Sequence, residues 1–314
     1  MIIVSTQATS DWTEAQQYRF AGVDALFQTP CTALQRFHVG EAPLENVVEA
    51  SMAAESFATN KYRDQSLEEI YTGPAPFGNR EREISFHRRR SFATLSFEGQ
   101  AVCELDLAHH HIHLLREGGF ANMVNVELLT GPAMMVLMAR LKTYCLHASA
   151  VSTTAGVVGF IAESGAGKST LAWEAGGAWR QISDDILPIL YEKGQSGVKA
   201  SAEFPQLKLS GACAPSIELG SPKLDYLFRI NPKPALKISF RRMTKAESML
   251  QVVRHTIAAR LFSKSMMERH TKFSTYVANK VPMIELSYPR DLLQLTTLRE
   301  EIVSYLADIN SQSY

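Results

Sequence analysis

The fold of this chain follows most directly from the stretch VVGFIAESGAGKST, which occupies residues 157–170. Its first five residues form a near-continuous apolar run, which is typical of a strand covered on both faces. A glycine-rich turn follows the run, and a helical pattern begins at Lys168. The turn fits [AG]-x-x-x-x-G-K-[ST], with Ala162 in the first position. A strand, a glycine turn and a helix in this order predict a phosphate-binding loop.

Each part of this loop has a physical task. Gly165 and Gly167 can adopt positive φ, so that consecutive backbone N–H groups turn toward phosphate oxygens. The helix adds the positive end of its dipole, and Lys168 can reach the β- and γ-phosphates. The hydroxyl of Ser169 can bind Mg²⁺. We therefore expect ATP or another nucleoside triphosphate, with Mg²⁺, to contact Ala162, Glu163, Ser164, Gly165, Ala166, Gly167, Lys168, Ser169 and Thr170.

Two adjacent carboxylates, Asp184 and Asp185, lie at the tip of the next predicted strand. Only one predicted helix separates them from the glycine turn, so both should return beside the phosphates. One carboxylate can hold Mg²⁺, and the other can accept a proton from a substrate hydroxyl. We expect Asp184, Asp185 and Lys168 to be catalytic and Ser169 and Asp185 to serve the metal, although the pattern leaves open which aspartate is the base.

Composition excludes several classes of protein. Of the 314 residues, 46% are apolar and 20% charged, and 32 Lys and Arg balance 32 Asp and Glu. This balance argues against nucleic acid as a partner, because phosphate backbones select a basic surplus. The 4 cysteines are scattered without metal-ligand spacing. No segment predicts a signal peptide or a membrane span, so we expect no membrane partner and a cytoplasmic location.

The pattern of polar and apolar residues changes along the chain. Polar and apolar residues alternate at 83–87, 92–97 and 102–107, with a turn at 98–100, which indicates antiparallel strands. Segments 44–60 and 132–142 have helical patterns. We therefore expect an α/β fold, α+β overall, with a smaller β-rich N-terminal domain over residues 1–125 and a P-loop catalytic domain over residues 126–314.

The C-terminal third is expected to be helical. Thr244 and Glu247 have the spacing of a capping box, which predicts a helix running to about Phe262. An apolar stripe predicts a last helix over residues 291–308. The helix that follows the glycine turn is expected to extend to about residue 178.

Several segments together resemble the catalytic domain of HPr kinase/phosphorylase. They are residues 147–151, 159–169 and 183–185, followed by 204–209, 246–255 and 281–291. The resemblance covers about residues 126–308. It implies a P-loop core similar to that of HPr kinase and phosphoenolpyruvate carboxykinase, and transfer of a phosphoryl group from ATP to a serine-type hydroxyl of a peptide or protein. It also implies a catalytic role for His147, which without the resemblance would be interpreted as a core histidine.

The chain departs from this family in two respects. It lacks the Glu-x-Arg-Gly-x-Gly signature that in the family follows the aspartate pair, and residues 1–125 do not resemble the usual regulatory domain. The arrangement is closer to stand-alone HPr-kinase-like proteins, some of which phosphorylate lasso-peptide precursors. The N-terminal domain is then a candidate for acceptor recognition. A kinase of small-molecule hydroxyls and a nucleotide-gated regulatory module remain alternatives, and a homo-oligomer remains open.

Three further groups of basic residues each have a functional and a structural interpretation. Arg254 and Arg290 are candidate phosphate or substrate contacts, with surface ion pairs as the alternative. The histidines at 109–113 are interpreted as a solvated or substrate-facing strand rather than a metal tract. The arginines at 88–90 are interpreted as a solvated hairpin turn.

Overall fold

The computed structural model describes residues 12–40, 43–53, 66–77, 80–163, 165–172, 179–191, 197–202, 204–205 and 220–311. The chain divides into two compact units. The first unit comprises Met1–Leu141 with Arg260–Ser263, and the second comprises Lys142–Ala259 with Lys264–Tyr314. The sequence placed this division at residue 125. It lies after Leu141 instead, because the helices between residues 123 and 140 group with the first unit.

The first unit contains a sheet with eight described strands. They are β1 Gln16–Phe20, β2 Val23–Phe27, β3 Val47–Met52, β4 Glu68–Phe77, β5 Arg80–Arg89, β6 Phe92–Phe97, β7 Gln100–Asp106 and β8 His111–Leu114. The spatial order is β1-β2-β3-β8-β7-β6-β5-β4. Strands β4 to β8 are antiparallel to their neighbours in the chain, whereas β3 is parallel to both β2 and β8. The predicted β-rich N-terminal region is confirmed.

The hairpin between β6 and β7 shows why local sequence predicted this region well. Glu98 and Gly99 join the two strands with φ angles of 50° and 81°. Positive φ at both central residues is the mark of a type I′ turn, whose twist matches that of the flanking strands. Arg90, with a φ angle of 53°, lies in the turn between β5 and β6. The predicted turn at 98–100 is confirmed, whereas the interpretation of residues 88–90 as a solvated turn holds only for Arg90, because Arg88 and Arg89 end strand β5 and are partly buried.

The predicted helix over residues 44–60 is wrong in the part that the structure describes. Residues 47–52 form strand β3, and 54–60 lie outside the described residues. Val48 and Ala50 are buried, whereas Glu49 between them is only partly so. The strand is hydrogen-bonded on both sides, to β2 and β8, and these long-range ladders override a local helical pattern.

The histidine segment is less solvated than the sequence indicated. His110 has a φ angle of 56° and lies in a turn, so the strand begins only at His111. His109 pairs instead with Asp106, its Nδ1 lying 2.8 Å from Oδ2. On β8, the rings of His111 and His113 stack with centroids 4.0 Å apart. The interpretation of this segment as a solvated strand is therefore wrong. His109 and His110 lie in a turn, and His111 and His113 are half-buried on β8.

Three helical segments follow the first sheet: α1 Met123–Leu128, a π-helical turn at Leu129–Ala133, and α2 Met134–Arg140. The predicted helix over 132–142 corresponds to the end of this run and is confirmed, although it ends at Arg140. Residues 134–139 are all buried. No helix within the described residues is long and apolar enough to cross a membrane.

The second unit is built on a mixed sheet. Its described strands are β9 Thr143–Thr153, β10 Gly156–Ile161, β11 Arg180–Ser183, β12 Ile186–Leu190, β13 Lys199–Ala200, β14 Tyr226–Ile230, β15 Ser239–Arg242 and β16 Met283–Ser287. The order is β13-β12-β9-β10-β14-β16-β15, and β11 pairs with β9. Strands β10, β14 and β16 are mutually parallel. With its helices, this sheet gives the α/β architecture that the sequence predicted.

The helices of the second unit are α3 Lys168–Ala172, α4 Lys245–His255, α5 Lys264–Lys280 and α6 Leu295–Ser311. The capping box at the start of α4 is confirmed, since the Glu247 N–H donates to Thr244 Oγ1 at 3.2 Å and Glu247 Oε2 accepts from the Thr244 N–H at 2.7 Å. This helix ends at His255 rather than near Phe262. Residues 173–178 of the predicted post-loop helix and residues 206–209 of the family-like segment 204–209 lie outside the described residues.

The core of the second unit fixes the strand that leads to the glycine turn. Phe160 of β10 is fully buried in a cluster with side chains from β14 and β16. Leu298, Ile302 and Leu306 of α6 join this cluster, as the apolar stripe predicted. Burial of side chains of this size stabilises the folded state by roughly 1.5–3 kcal/mol each, so the end of β10 is a rigid support.

Candidate active site

The glycine loop, defined here as Ala162–Gly167, lies between β10 and α3 at one edge of the second sheet. Because β14 and β16 are parallel to β10, their carboxyl ends meet the same edge. Asn231 follows β14 there, and Tyr288 follows β16. Ligands of open α/β sheets bind outside the carboxyl ends of parallel strands. The described part of the loop therefore lies where such a ligand binds, while Ser164 lies outside the described residues.

Two glycines give the loop its shape. Gly165 and Gly167 have φ angles of 74° and 89°, which other residues adopt only with strain. A Cβ atom on Gly167 would lie 3.2 Å from Tyr288 Oη, so the close approach of β16 also favours glycine there. The Leu171 N–H donates to Gly167 O at 3.0 Å, which starts the helix at the predicted residue.

Lys168 is buried, with only 6% of its surface exposed. Its Nζ donates to Ala162 O at 3.0 Å, so the side chain folds back across the loop to its first residue. An ammonium group is costly to bury unless oxygen atoms surround it. This lysine therefore places a fixed positive charge inside the loop.

Two arginines border the loop in different ways. Arg290 braces it: Nη1 donates to Ala166 O at 2.7 Å and Nη2 donates to Asn231 O at 3.0 Å. Arg254 reaches it through an ion pair, with Nη2 2.9 Å from Glu163 Oε1. Both partners of that ion pair are more than half exposed, so Arg254 can exchange its carboxylate for another anion at little cost.

The aspartate pair lies between β11 and β12, and its backbone is pinned to β9. Ser149 Oγ donates to Asp184 O, and the Ala148 N–H donates to Asp185 O at 3.2 Å. Ala148 is also the partner of Ile161, the last residue of β10. Strand β9 thus connects the aspartate pair to Ile161, the residue that precedes the glycine loop.

The two carboxylates have different surroundings. Asp185 Oδ1 lies 2.9 Å from His147 Nε2, and both side chains are partly exposed. Asp184 is buried, and its Oδ1 has no hydrogen-bond partner among the described residues. A buried carboxylate oxygen that lacks a donor is costly, and such groups in native proteins mark functional sites or missing ligands.

Two residues at this site, His255 and Arg299, have no signal in the sequence. His255, the last residue of α4, is buried, and its pKa is lowered to about 4, first by burial. Glu163, His147, Lys168 and Arg254 all influence this pKa, so the ring lies among the predicted site residues. Arg299 of α6 donates to Leu171 O from Nε at 3.2 Å and to Thr170 O from Nη2 at 3.3 Å. Neither residue belongs to the local motif, because both come from helices that are distant from it in the chain.

The donor atoms present fit a nucleotide and Mg²⁺. Within the described residues there is no group of three or more His, Cys, Asp or Glu side chains that could hold a metal alone. Mg²⁺ in nucleotide sites needs fewer protein ligands, because one or two side-chain oxygens combine with water and phosphate oxygens. The oxygens of Ser169 and Asp185, with the unpartnered Oδ1 of Asp184 nearby in the chain, provide that kind of donor set.

No protein-family model matches the chain, and no curated protein matches it. Among solved structures, the chain is similar to that of the Hpr(Ser) kinase/phosphatase from Coxiella burnetii. The two are 13% identical, with 54% of this chain and 96% of that chain covered and a TM-score of 0.30. This is a distant structural similarity, and the chemistry of the site follows from its own residues.

Proposed function

We propose that this protein is an ATP- and Mg²⁺-dependent kinase that transfers the γ-phosphoryl group to a serine-type hydroxyl of a peptide or protein. The observation that carries the proposal is a buried lysine inside a glycine loop, with two carboxylates tied to the adjoining strand. A phosphate loop by itself binds nucleotides. The second carboxylate is the feature that a transferase needs and a nucleotide-gated module does not.

The loop would hold the nucleotide through its backbone and through Lys168. Positive φ at Gly165 and Gly167 orients N–H groups as a concave anion site. The Lys168 ammonium would contact β- and γ-phosphate oxygens. Arg254 would leave Glu163 for the transferring phosphoryl group, where a cation lowers the energy of the developing charge. Arg290 would support the loop rather than touch phosphate, because two of its nitrogens already donate to backbone carbonyls.

The two aspartates would have different roles, one as a metal ligand and the other as the proton acceptor. Asp185 and Ser169 would hold Mg²⁺, and His147 would orient the Asp185 carboxylate through the contact at 2.9 Å. The ion, when bound, supplies positive charge to the β- and γ-phosphate oxygens. Asp184, whose Oδ1 accepts no hydrogen bond from a described residue, keeps a lone pair for the proton of the acceptor hydroxyl.

In the proposed reaction, the acceptor oxygen forms a bond to the γ-phosphorus and its proton passes to Asp184. The bond from the γ-phosphorus to the β–γ bridging oxygen breaks, and ADP leaves. The chain's resemblance to stand-alone HPr-kinase-like proteins favours a peptide acceptor, and a lasso-peptide precursor is the first one to test. Because the chain lacks the Glu-x-Arg-Gly-x-Gly signature, we propose that it acts only in the kinase direction.

Formation of ADP with and without acceptors tests this proposal. The purified chain should release little ADP from Mg²⁺ and ATP alone, and much more when a serine-containing acceptor peptide is added. A small-molecule kinase would respond instead to low-molecular-weight alcohols. Tight ATP binding without stimulation by any hydroxyl compound would indicate a nucleotide-gated module and contradict the transferase.

A further inference from the structure

A cluster of polar side chains in the first unit, on strands β3 and β8, has no part in the proposed kinase reaction. The two strands are parallel, and they place Glu49 opposite His111 and Ser51 opposite His113. Residues two apart in a strand share a face, so all four side chains lie on one face of the sheet. Ile112, between the two histidines, is fully buried on the other face. The register of the two strands therefore holds a serine, two histidines and a glutamate together.

The distances within this cluster match those of a serine nucleophile and its base. Ser51 Oγ lies 2.8 Å from His111 Nε2, and His111 Nδ1 lies 3.2 Å from Glu49 Oε2. A nucleophile and its base need a separation of about 2.6–3.2 Å, with a third group that orients the base. Serine, histidine and carboxylate meet both conditions here, in the same order of contacts as in serine hydrolases.

His113 determines the direction in which the Ser51 proton lies. Burial is the largest cause that lowers the pKa of His113, which falls to about 3, so its ring is neutral at pH 7. When His111 is neutral and its Nδ1–H faces Glu49, its Nε2 is an acceptor. The Ser51 hydroxyl then donates to His111. The second contact of Ser51 Oγ, at 3.3 Å from His113 Nδ1, is consequently an N–H of His113 donating to the serine oxygen.

The surroundings of Ser51 limit the substrate to a small apolar one. Only 3% of Ser51 is exposed, whereas 16% of the His111 side chain and 38% of the Glu49 side chain are. A substrate would therefore approach over His111. The Trp12 ring lies edge-on to His111, with 6.0 Å between the ring centroids, and gives this approach an apolar wall.

We propose that Ser51 and His111, positioned by Glu49, form a second catalytic site that hydrolyses small uncharged acyl esters. Ser51 Oγ would attack the carbonyl carbon while its proton passes to His111 Nε2. The bond from that carbon to the alcohol oxygen breaks, and His111 returns the proton to the leaving alcohol. Water would then attack the acyl-serine and give its proton to His111, and the carboxylic acid leaves as His111 reprotonates Ser51 Oγ. All of these residues belong to the first unit, so the inference does not depend on the nucleotide site.

Diisopropyl fluorophosphate and p-nitrophenyl acetate test the site on the full chain. The first reagent is small and forms a covalent bond to an activated serine oxygen with loss of fluoride, so mass spectrometry should find its adduct on Ser51. The Ser51→Ala variant should lose both the adduct and hydrolysis of the ester. Ser96→Ala is the matched control, because Ser96 is a buried serine on β6 of the same sheet, and this variant should keep both.

The roles of His111 and Glu49 are tested by the kinetics of ester hydrolysis. The His111→Gln variant should lose about 100-fold or more of the rate, the effect of losing a general base. Glu49→Gln should lower kcat and leave KM unchanged, because an interaction made only in the transition state affects kcat and kcat/KM equally. A Glu49→Gln variant with a raised KM and an unchanged kcat would contradict the positioning role.

Wild-type protein that is modified on other residues but not on Ser51 would overturn the inference. So would a folded Ser51→Ala variant that hydrolyses the ester as fast as the wild-type protein does. Thermal unfolding shows whether each variant is folded. If Ser51→Ala does not fold, the presence or absence of the adduct on wild-type Ser51 decides, because that measurement needs no variant.

Discussion

Lys168 carries the positive charge on which the proposed nucleotide site depends. The Lys168→Ala variant should lose phosphoryl transfer by about 100-fold or more, because it removes the amine that folds across the glycine loop to Ala162 O. The exposed Lys272, changed to alanine, is a matched control from the same unit. Transfer rates and thermal unfolding should be measured on both variants. A folded Lys168→Ala protein that keeps more than about a tenth of the activity would contradict the role.

The aspartate pair makes a second prediction at the scale of single residues. Asp184→Asn should lower turnover at every Mg²⁺ concentration, because it removes the proton acceptor. Asp185→Asn should require more Mg²⁺ for half-maximal rate, because it removes a metal ligand that His147 orients. Both variants should still bind ATP, since neither removes a positive charge from the loop. Titration of the rate with Mg²⁺ separates the two roles. A higher Mg²⁺ requirement in Asp184→Asn, with lower turnover at every Mg²⁺ concentration in Asp185→Asn, would show that Asp184 holds the metal and Asp185 is the base.

At the scale of elements, Arg290 joins the segments that follow β14 and β16 to the glycine loop. Its side chain donates to Ala166 O and to Asn231 O, and its guanidinium lies 5.4 Å from the centre of the Tyr288 ring. The Arg290→Met variant should therefore lower both the melting temperature and the affinity for ATP. Loss of two such hydrogen bonds should cost about 1–3 kcal/mol of unfolding free energy.

Arg290→Lys provides the matched test, because a lysine keeps the charge but cannot bridge two carbonyl groups in fixed geometry. We expect Arg290→Lys to lower the melting temperature and the affinity for ATP, as Arg290→Met does. Thermal unfolding and calorimetric titration with ATP measure the two effects. An Arg290 variant with unchanged stability and ATP affinity but with lost turnover would show that the guanidinium acts on the transferring phosphoryl group instead.

Local signals in the sequence predicted the elements whose causes are local. The capping box of α4, the turn at Glu98 and Gly99, and the glycine loop each depend on residues within a few positions of one another. The pairing of β10 with β14 and β16 could not be predicted in this way, because it joins segments far apart in the chain. Residues 47–52 were misassigned for the same reason. Site residues on distant helices, such as His255, have no local signal either.

At the scale of the whole molecule, buried neutral histidines couple folding to pH. The pKa values of His255 and His270 are lowered to about 4, in both cases first by burial, from an ordinary value of 6.5. The unfolded chain therefore binds more protons between these values, and the unfolding free energy falls as the pH drops from about 6.5 toward 4. Each histidine can contribute on the order of 3 kcal/mol to this loss.

Denaturant unfolding at several pH values measures this effect. The His270→Gln variant should have a flatter dependence on pH in this window than the wild-type protein, because it lacks one of the histidines whose pKa burial lowers. Stability that stays constant between pH 6.5 and 4 in the wild-type protein would rule out the coupling.

The most direct test of the central claim follows a labelled phosphoryl group from ATP to an acceptor. The protein is incubated with Mg²⁺, ATP labelled with ¹⁸O in the γ-phosphoryl group, and a candidate precursor peptide that contains serine. Mass spectrometry should then find one labelled phosphoryl group on the serine of the peptide, in an amount equal to the ADP formed. The same reaction with Asp184→Asn should leave the peptide unmodified. Label that appears only in inorganic phosphate, with every hydroxyl acceptor unmodified, would contradict the assignment as a kinase.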